Sequence, residues 1–161
     1  MRYIFILILF FSFLRSDIHV FNRSSGTESE IKVLPNVKPI YVSAKDLGES
    51  FTSKIYENSE RRKLVLYISG SKVKVSGNSS FVIINDNAYQ MPQVTMVEGD
   101  DLYLPAEYFF EIIKRTILPG INFDSKKELL EIDIIRFNVT NISIDVKSNG
   151  TIIHLATKKP F

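Results

Sequence analysis

Two histidines, three acids packed into one short turn and a run of basic residues around a tyrosine are the side chains whose types and spacing bear on chemistry in this 161-residue sequence. A zinc hydrolase site needs histidines and a carboxylate converging on one ion, with another carboxylate to handle the proton of the bound water. His19 sits beside an apolar leader, and His154 alternates with Ile153 and Leu155, so the pair cannot build that site. Copper lacks ligands too, since the chain has no cysteine and one usable histidine. Glu98, Asp100 and Asp101 invite comparison with glycosidase acids. Gly99 between them marks a hairpin turn, however, and acids in a turn point apart into water. Neither a Gly-x-Ser-x-Gly elbow nor a glycine-rich phosphate loop occurs. No catalytic residue, metal ligand set or cofactor site is therefore expected in this chain.

Binding chemistry is better supplied. Arg61, Arg62 and Lys63 lead into an apolar strand whose hairpin partner carries Lys72 and Lys74, with Tyr67 beside them. The candidate site is a basic sheet face, Arg61, Arg62, Tyr67, Lys72 and Lys74, suited to an anionic wall polymer or a glycan face; a merely solvated face is the plain alternative. Tyr41 and Tyr103 read as architectural aromatics at strand-to-helix steps rather than as sugar-stacking rings. The net charge of +2 demands no nucleic acid.

The elements that position these residues follow from pattern. Arg2 and an apolar run from Tyr3 to Leu14 have the layout of a secretory signal. The run is shorter than the roughly twenty residues a spanning helix needs, and Arg15, Ser16 and Asp17 end it. A leader over 1–20 is expected, with membrane contact only if it stays uncleaved. The polar stretch from Asn22 to Glu30 reads as a linker over 21–38, so folding is expected to begin near Ile40. An exported chain without cysteine must draw its stability from burial, and at 45% hydrophobic residues it can do so.

From Ile40 the sequence repeats itself. Ile40 to Leu47 matches Leu102 to Phe109 position for position, and each copy reads strand, helix, strand, strand. Ser43 caps a first helix through Phe51, and Pro105 opens a second in its first turn, running to about Arg115. Leu47, Phe51, Phe109, Ile112 and Ile113 fall at helical spacing and read as core. Leu64, Leu66 and Ile68 alternate with Val65, Tyr67 and Ser69. A two-residue turn at Gly70 and Ser71 would set Ile68 opposite Val73 and Leu66 opposite Val75, sending Tyr67, Lys72 and Lys74 to the other face. Further strands are expected over 81–84, 94–97 and 101–104. The fold class is α+β: a mostly antiparallel sheet with two helices from the internal repeat over 39–134, then a C-terminal β-hairpin over 135–161 turning at Ser148 to Gly150. That hairpin either docks on the preceding domain or opens a second one.

These residues carry a family resemblance. The segments Lys72 to Gly77, Phe81 to Asn85, Gly99 to Phe109 and Ile121 to Ile132 resemble the copper amine oxidase N-terminal-like domain of bacterial envelope proteins. Asn141 to Leu155 is similar to the opening of an AMIN domain. That order of modules resembles the front end of exported N-acetylmuramoyl-L-alanine amidases, in which a zinc hydrolase domain follows. The resemblance implies attachment to peptidoglycan or another envelope polymer, with the hydrolase outside this chain. A free-standing exported module that pairs with an envelope protein through a strand edge near Ile152 is the alternative.

Overall fold

Alternation decides the largest sheet. The computed structural model describes residues 17–51, 54–133 and 139–157, and the leader expected over 1–20 lies almost wholly outside them. Its elements, in chain order, are β1 (Ile18–Asn22), β2 (Thr27–Ile31), β3 (Tyr41–Ser43), α1 (Ala44–Ser50), β4 (Ile55–Asn58), β5 (Lys63–Ile68), β6 (Ser71–Ser76), β7 (Phe81–Ile84), β8 (Asn87–Gln90), β9 (Met96–Glu98), β10 (Asp101–Pro105), α2 (Ala106–Thr116), β11 (Ile121–Asp124), β12 (Leu129–Ile132), β13 (Val139–Lys147) and β14 (Gly150–Thr157). Strands β4 to β8 form an antiparallel meander in sequence order. Leu64, Leu66, Ile68, Val73, Val75, Val82 and Ile84 are all buried on its inner face.

The meander turns on residues that tolerate left-handed backbone. Ser69 and Gly70 have φ of 50° and 79°, and Asn85 and Asp86 have φ of 46° and 70°. Two-residue hairpins favour such turns because their twist matches that of the strands. The β5–β6 turn therefore sits on Ser69 and Gly70, one residue earlier than the expected Gly70 and Ser71. Leu66 consequently pairs with Val73 and Leu64 with Val75, while Ile68 faces Ser71. A register shift of two residues preserves side-chain parity. The inner and outer faces are those read from the sequence.

A three-stranded sheet, β3-β10-β9, joins the two Tyr-containing strands β3 and β10 directly. Tyr41 pairs with Pro105, Val42 with Leu104 and Ser43 with Tyr103. Each strand then runs into a helix. Ser43 is the N-cap of α1, its Oγ accepting from the Asp46 amide at 3.0 Å, and Phe51 is the C-cap. Pro105 occupies the N-cap of α2, one position before the first-turn site expected for it, because it also closes β10; the helix runs on to Thr116. Leu47, Phe109 and Ile113 are buried, and Phe51 and Ile112 pack against them. After the helices the two copies part. Strands β4 and β5 enter the five-stranded sheet, whereas β11 and β12 enter a four-stranded one. The fold is thus α+β, with two helices on mostly antiparallel sheets.

Residues 21–38 are not an unstructured linker. Strand β1 pairs in parallel with β12 and antiparallel with β2, in a sheet ordered β11-β12-β1-β2. Ile18, Val20 and Ile31 are fully buried in the same core cluster as Leu130, Ile132, Leu47 and Phe109. Folding begins at Ile18 rather than near Ile40, and the leader boundary drawn at residue 20 falls inside β1. The composition misled because β2 is an edge strand: four of its five residues are exposed and polar, and Ile31 alone reaches the core. Its strand character comes from its neighbour, not from its own side chains. Asn22 supplies the turn, its Oδ1 accepting from the Ser24 and Ser25 amides. Strand β8, absent from the sequence reading, follows from the Asn85–Asp86 turn in the same way.

Among the described residues, strands β13 and β14 of the C-terminal hairpin pair only with each other, in a two-stranded sheet that turns at Ser148 and Asn149. Every side chain described in it is exposed, including Ile142, Ile144, Val146, Ile153 and Leu155 on one face.

The N-terminal correction has a direct check. Ile18→Ala should lower stability by about 3 kcal/mol, the ordinary cost of emptying a buried aliphatic site. His19→Ala, one residue on and exposed, should change it by less than about 0.5 kcal/mol. Urea denaturation of the two variants measures both, and equal, negligible shifts would restore the linker reading.

Candidate functional site

Burial of the inner face of the β4–β8 meander forces every second residue onto the outer face. Tyr56, Val65, Lys74, Ile83 and Ala88 stand in one cross-strand row. Tyr67 pairs with Lys72 beside that row, and Asn58, Lys63, Ser76, Phe81 and Gln90 fall on the other side of it. The face thus combines three lysines, three aromatic rings and the aliphatic side chains of Val65, Ile83 and Ala88. Tyr56 is 57% exposed, Phe81 46% and Tyr67 37%. The rings of Tyr56 and Tyr67 meet edge to face, with centroids 5.9 Å apart, a geometry the ring quadrupoles favour.

The charges on this face are unevenly spent. Lys74 Nζ pairs with Asp86 Oδ1 at 2.7 Å, and this hydrogen bond holds the Asp86 carboxyl below the usual carboxylate range. Lys63 and Lys72 form no ion pair among the described residues. Asn85, which is uncharged, fixes the Lys72 backbone: its Oδ1 accepts from the Lys72 amide at 2.9 Å, and its own amide donates to the Lys72 carbonyl at 3.0 Å.

Of the five residues singled out from the sequence, the fold brings Tyr67, Lys72 and Lys74 together on the outer face. Arg61 and Arg62 lie apart, in the β4–β5 turn. The Arg61 amide donates to Asn58 Oδ1, and Arg62 takes a φ of 48°. Arg62 lines a cleft of about 110 Å³ with Glu57, Asp100 and Asp101 rather than joining the lysines. The sequence reading missed Tyr56, Phe81, Val65 and Ile83. Strand alternation within 55–58 and 81–84 is the signal that would have found them once β4 and β7 were placed in register.

The acidic turn is structural. Gly99, at φ 60°, lets the chain turn between β9 and β10. Asp101 accepts from the Ser43 hydroxyl and from the Lys45 amide at 3.3 Å, tying β10 to the start of α1. Lys45 Nζ lies 2.9 Å from Asp100 Oδ2 and 3.0 Å from Glu57 Oε2. The hydrogen bond to Asp100 holds the Lys45 ammonium above its ordinary pKa. Hydrogen bonding from Lys45 holds both the Glu57 and the Asp100 carboxyl below theirs. Neither acid is poised to donate or take a proton near neutrality. Tyr41 is buried and donates from its hydroxyl to the Val94 carbonyl at 3.0 Å, an architectural role; burial pushes its pKa up.

His154 pairs with Ser143 on the hairpin, on the strand face opposite Ile153 and Leu155. Among the described residues no three histidine, aspartate or glutamate side chains are grouped to hold a metal ion. None of the described helices is long and apolar enough to cross a membrane.

The model of the copper amine oxidase N-terminal domain family matches residues 24–127, well over half of the chain. The matched span opens in the β1–β2 turn, takes in β2 through β11 and closes just before β12. No curated protein and no solved structure matches.

The Lys45 clamp predicts a pH signature. Carboxyls with lowered folded-state pKa add stability above the ordinary carboxylate range, and that stability is lost as pH falls through their lowered values. A lysine with a raised pKa adds stability below the ordinary lysine value, lost as pH rises through the raised one. Lys45→Met should therefore lower the unfolding midpoint most near neutrality and flatten its fall at both acid and alkaline extremes. Thermal unfolding followed against pH checks this; curves parallel to those of the unaltered chain would contradict it.

Proposed function

The chain belongs to the copper amine oxidase N-terminal domain family, and from that premise we propose that it is a non-catalytic targeting region that binds peptidoglycan or a related anionic polymer of the bacterial cell envelope. The observation that carries this reading is the outer face of the meander. Exposed Lys63 and Lys72, which form no ion pair among the described residues, share one sheet face with Lys74, held by Asp86, and with the exposed rings of Tyr56, Tyr67 and Phe81. Flat sheets bearing cations and rings suit extended polymers better than small molecules, which favour enclosed pockets.

In this reading the chain is the front part of an exported N-acetylmuramoyl-L-alanine amidase, and the hairpin of β13 and β14 opens an AMIN-like domain. The mechanism is one of effective concentration: a weak hold on the wall keeps a linked hydrolase near its polymer without taking part in the chemistry. Export through the leader places the chain in the envelope. Each lysine contact is worth little alone, so binding must be spread over several and must weaken with salt.

A second reading has its own observation. The apolar face of the hairpin, Ile142, Ile144, Val146, Ile153 and Leu155, is exposed, and among the described residues no third strand joins its sheet. An exported module that adds a strand from a partner protein would use such an edge.

Co-sedimentation of the full chain with insoluble peptidoglycan sacculi separates the two. The chain should pellet at low salt and be released as salt rises. Replacing Lys63, Lys72 and Lys74 together by Ala should abolish pelleting, while Ile144→Lys on the hairpin should leave it unchanged. Retention of the triple-Ala variant would rule out the sheet face as the wall-binding site, and a chain that never pellets would leave the strand-pairing reading.

A further inference from the structure

Three features compete for a further role: the cleft lined by Arg62, Glu57, Asp100 and Asp101, the apolar hairpin face, and the order of side chains across the outer sheet face. The cleft's acids are already tied up by Lys45 and Ser43. The hairpin face carries nothing that selects an occupant. The outer face does, through register.

Tyr67 on β5 pairs with Lys72 on β6. Lys74 lies two residues further along β6 and pairs with Ile83 on β7. Phe81 lies two residues further along β7 in the same direction. Tyr67, Lys74 and Phe81 therefore fall on one diagonal with the lysine midway. Strands about 4.8 Å apart and residues about 3.4 Å apart along each strand put the two rings roughly 17 Å from one another. Tyr56 widens the first platform by its edge contact with Tyr67. Between the platforms lie Val65, Ile83 and the stem of Lys74, an apolar floor that presents one cation. The cross-strand rows of this face hold no carboxylate, and Asp86, in the turn, is the acid that reaches in, through Lys74.

Resting on the wall-binding reading, we propose that the ligand of this face is the glycan chain of the polymer, lying along the diagonal with sugar rings against the Tyr56–Tyr67 pair and against Phe81 and an anionic substituent at Lys74. Rings present apolar faces to aromatic side chains, and two platforms that far apart cannot be bridged by one ring. The ligand must therefore be a linear chain of several sugars, and affinity must rise with its length. Asp86 competes for Lys74, so it acts as a brake on anionic ligands.

The test is calorimetric titration of the full chain with muramidase-solubilised wall fragments separated by glycan length, with polyphosphate as a polyanion that has no sugar rings. Long fragments should bind and disaccharides should not. Phe81→Ala should weaken long-fragment binding roughly tenfold. Asp86→Asn keeps the left-handed turn, which Asn tolerates, and should tighten it about threefold. Polyphosphate should ignore the Phe81 change. If sacculi retain the chain but fragment length and Phe81→Ala have no effect, or polyphosphate binds as well as the long fragments, the glycan assignment is overturned and the wall-binding reading survives on charge alone. If sacculi and fragments both fail to bind, both fall.

Discussion

Seven aliphatic side chains on one face of a five-stranded meander fix nearly everything else about this molecule. Leu64, Leu66, Ile68, Val73, Val75, Val82 and Ile84 are each no more than 2% exposed. Burying each contributes on the order of 2 kcal/mol. A slip of one residue in β6 would put Lys72 and Lys74 into the core and Val73 and Val75 into water. Burying one unpaired lysine costs several kcal/mol, comparable with the whole net stability of a domain. The inner face therefore dictates the outer one: lysines and rings share the open surface because their neighbours in sequence cannot leave the core.

The same sheet is held to the rest of the molecule by polar ties at its rim. Lys45, at the start of α1, reaches β4 through Glu57 and the β9–β10 turn through Asp100. Ser43 caps that helix and meets Asp101 from the neighbouring strand. Acids that look catalytic in the sequence are spent on these joints.

Much of this was legible from pattern. Alternation in Leu64 to Ile68 and in Lys72 to Val75 gave the two faces correctly even though the turn was set one residue late, since parity survives a shift of two. Ser43 before Ala44 announced a cap that the structure contains. The β1–β2 hairpin was not legible, because Thr27 to Glu30 bury nothing and a polar edge strand has the composition of a linker. Only its pairing with β1, and the parallel pairing of β1 with a strand more than a hundred residues away, make it a strand. The outer face was half legible. Tyr67, Lys72 and Lys74 share a hairpin and could be grouped from local spacing. Tyr56 and Phe81 come from strands on either side, and their arrival depends on registers that no local spacing encodes. Arg61 and Arg62 adjoin the lysines in sequence but turn away at a backbone reversal, with Arg62 in a left-handed conformation.

Amide chemical-shift mapping with long wall fragments reports where the polymer lies without altering a residue. Perturbed amides should cluster on β4 to β7 around Tyr56, Tyr67, Lys72, Lys74 and Phe81, leaving β13 and β14 unmoved. Perturbations gathered on the hairpin of Val139 to Thr157, or none on the meander at saturating polymer, would contradict that placement.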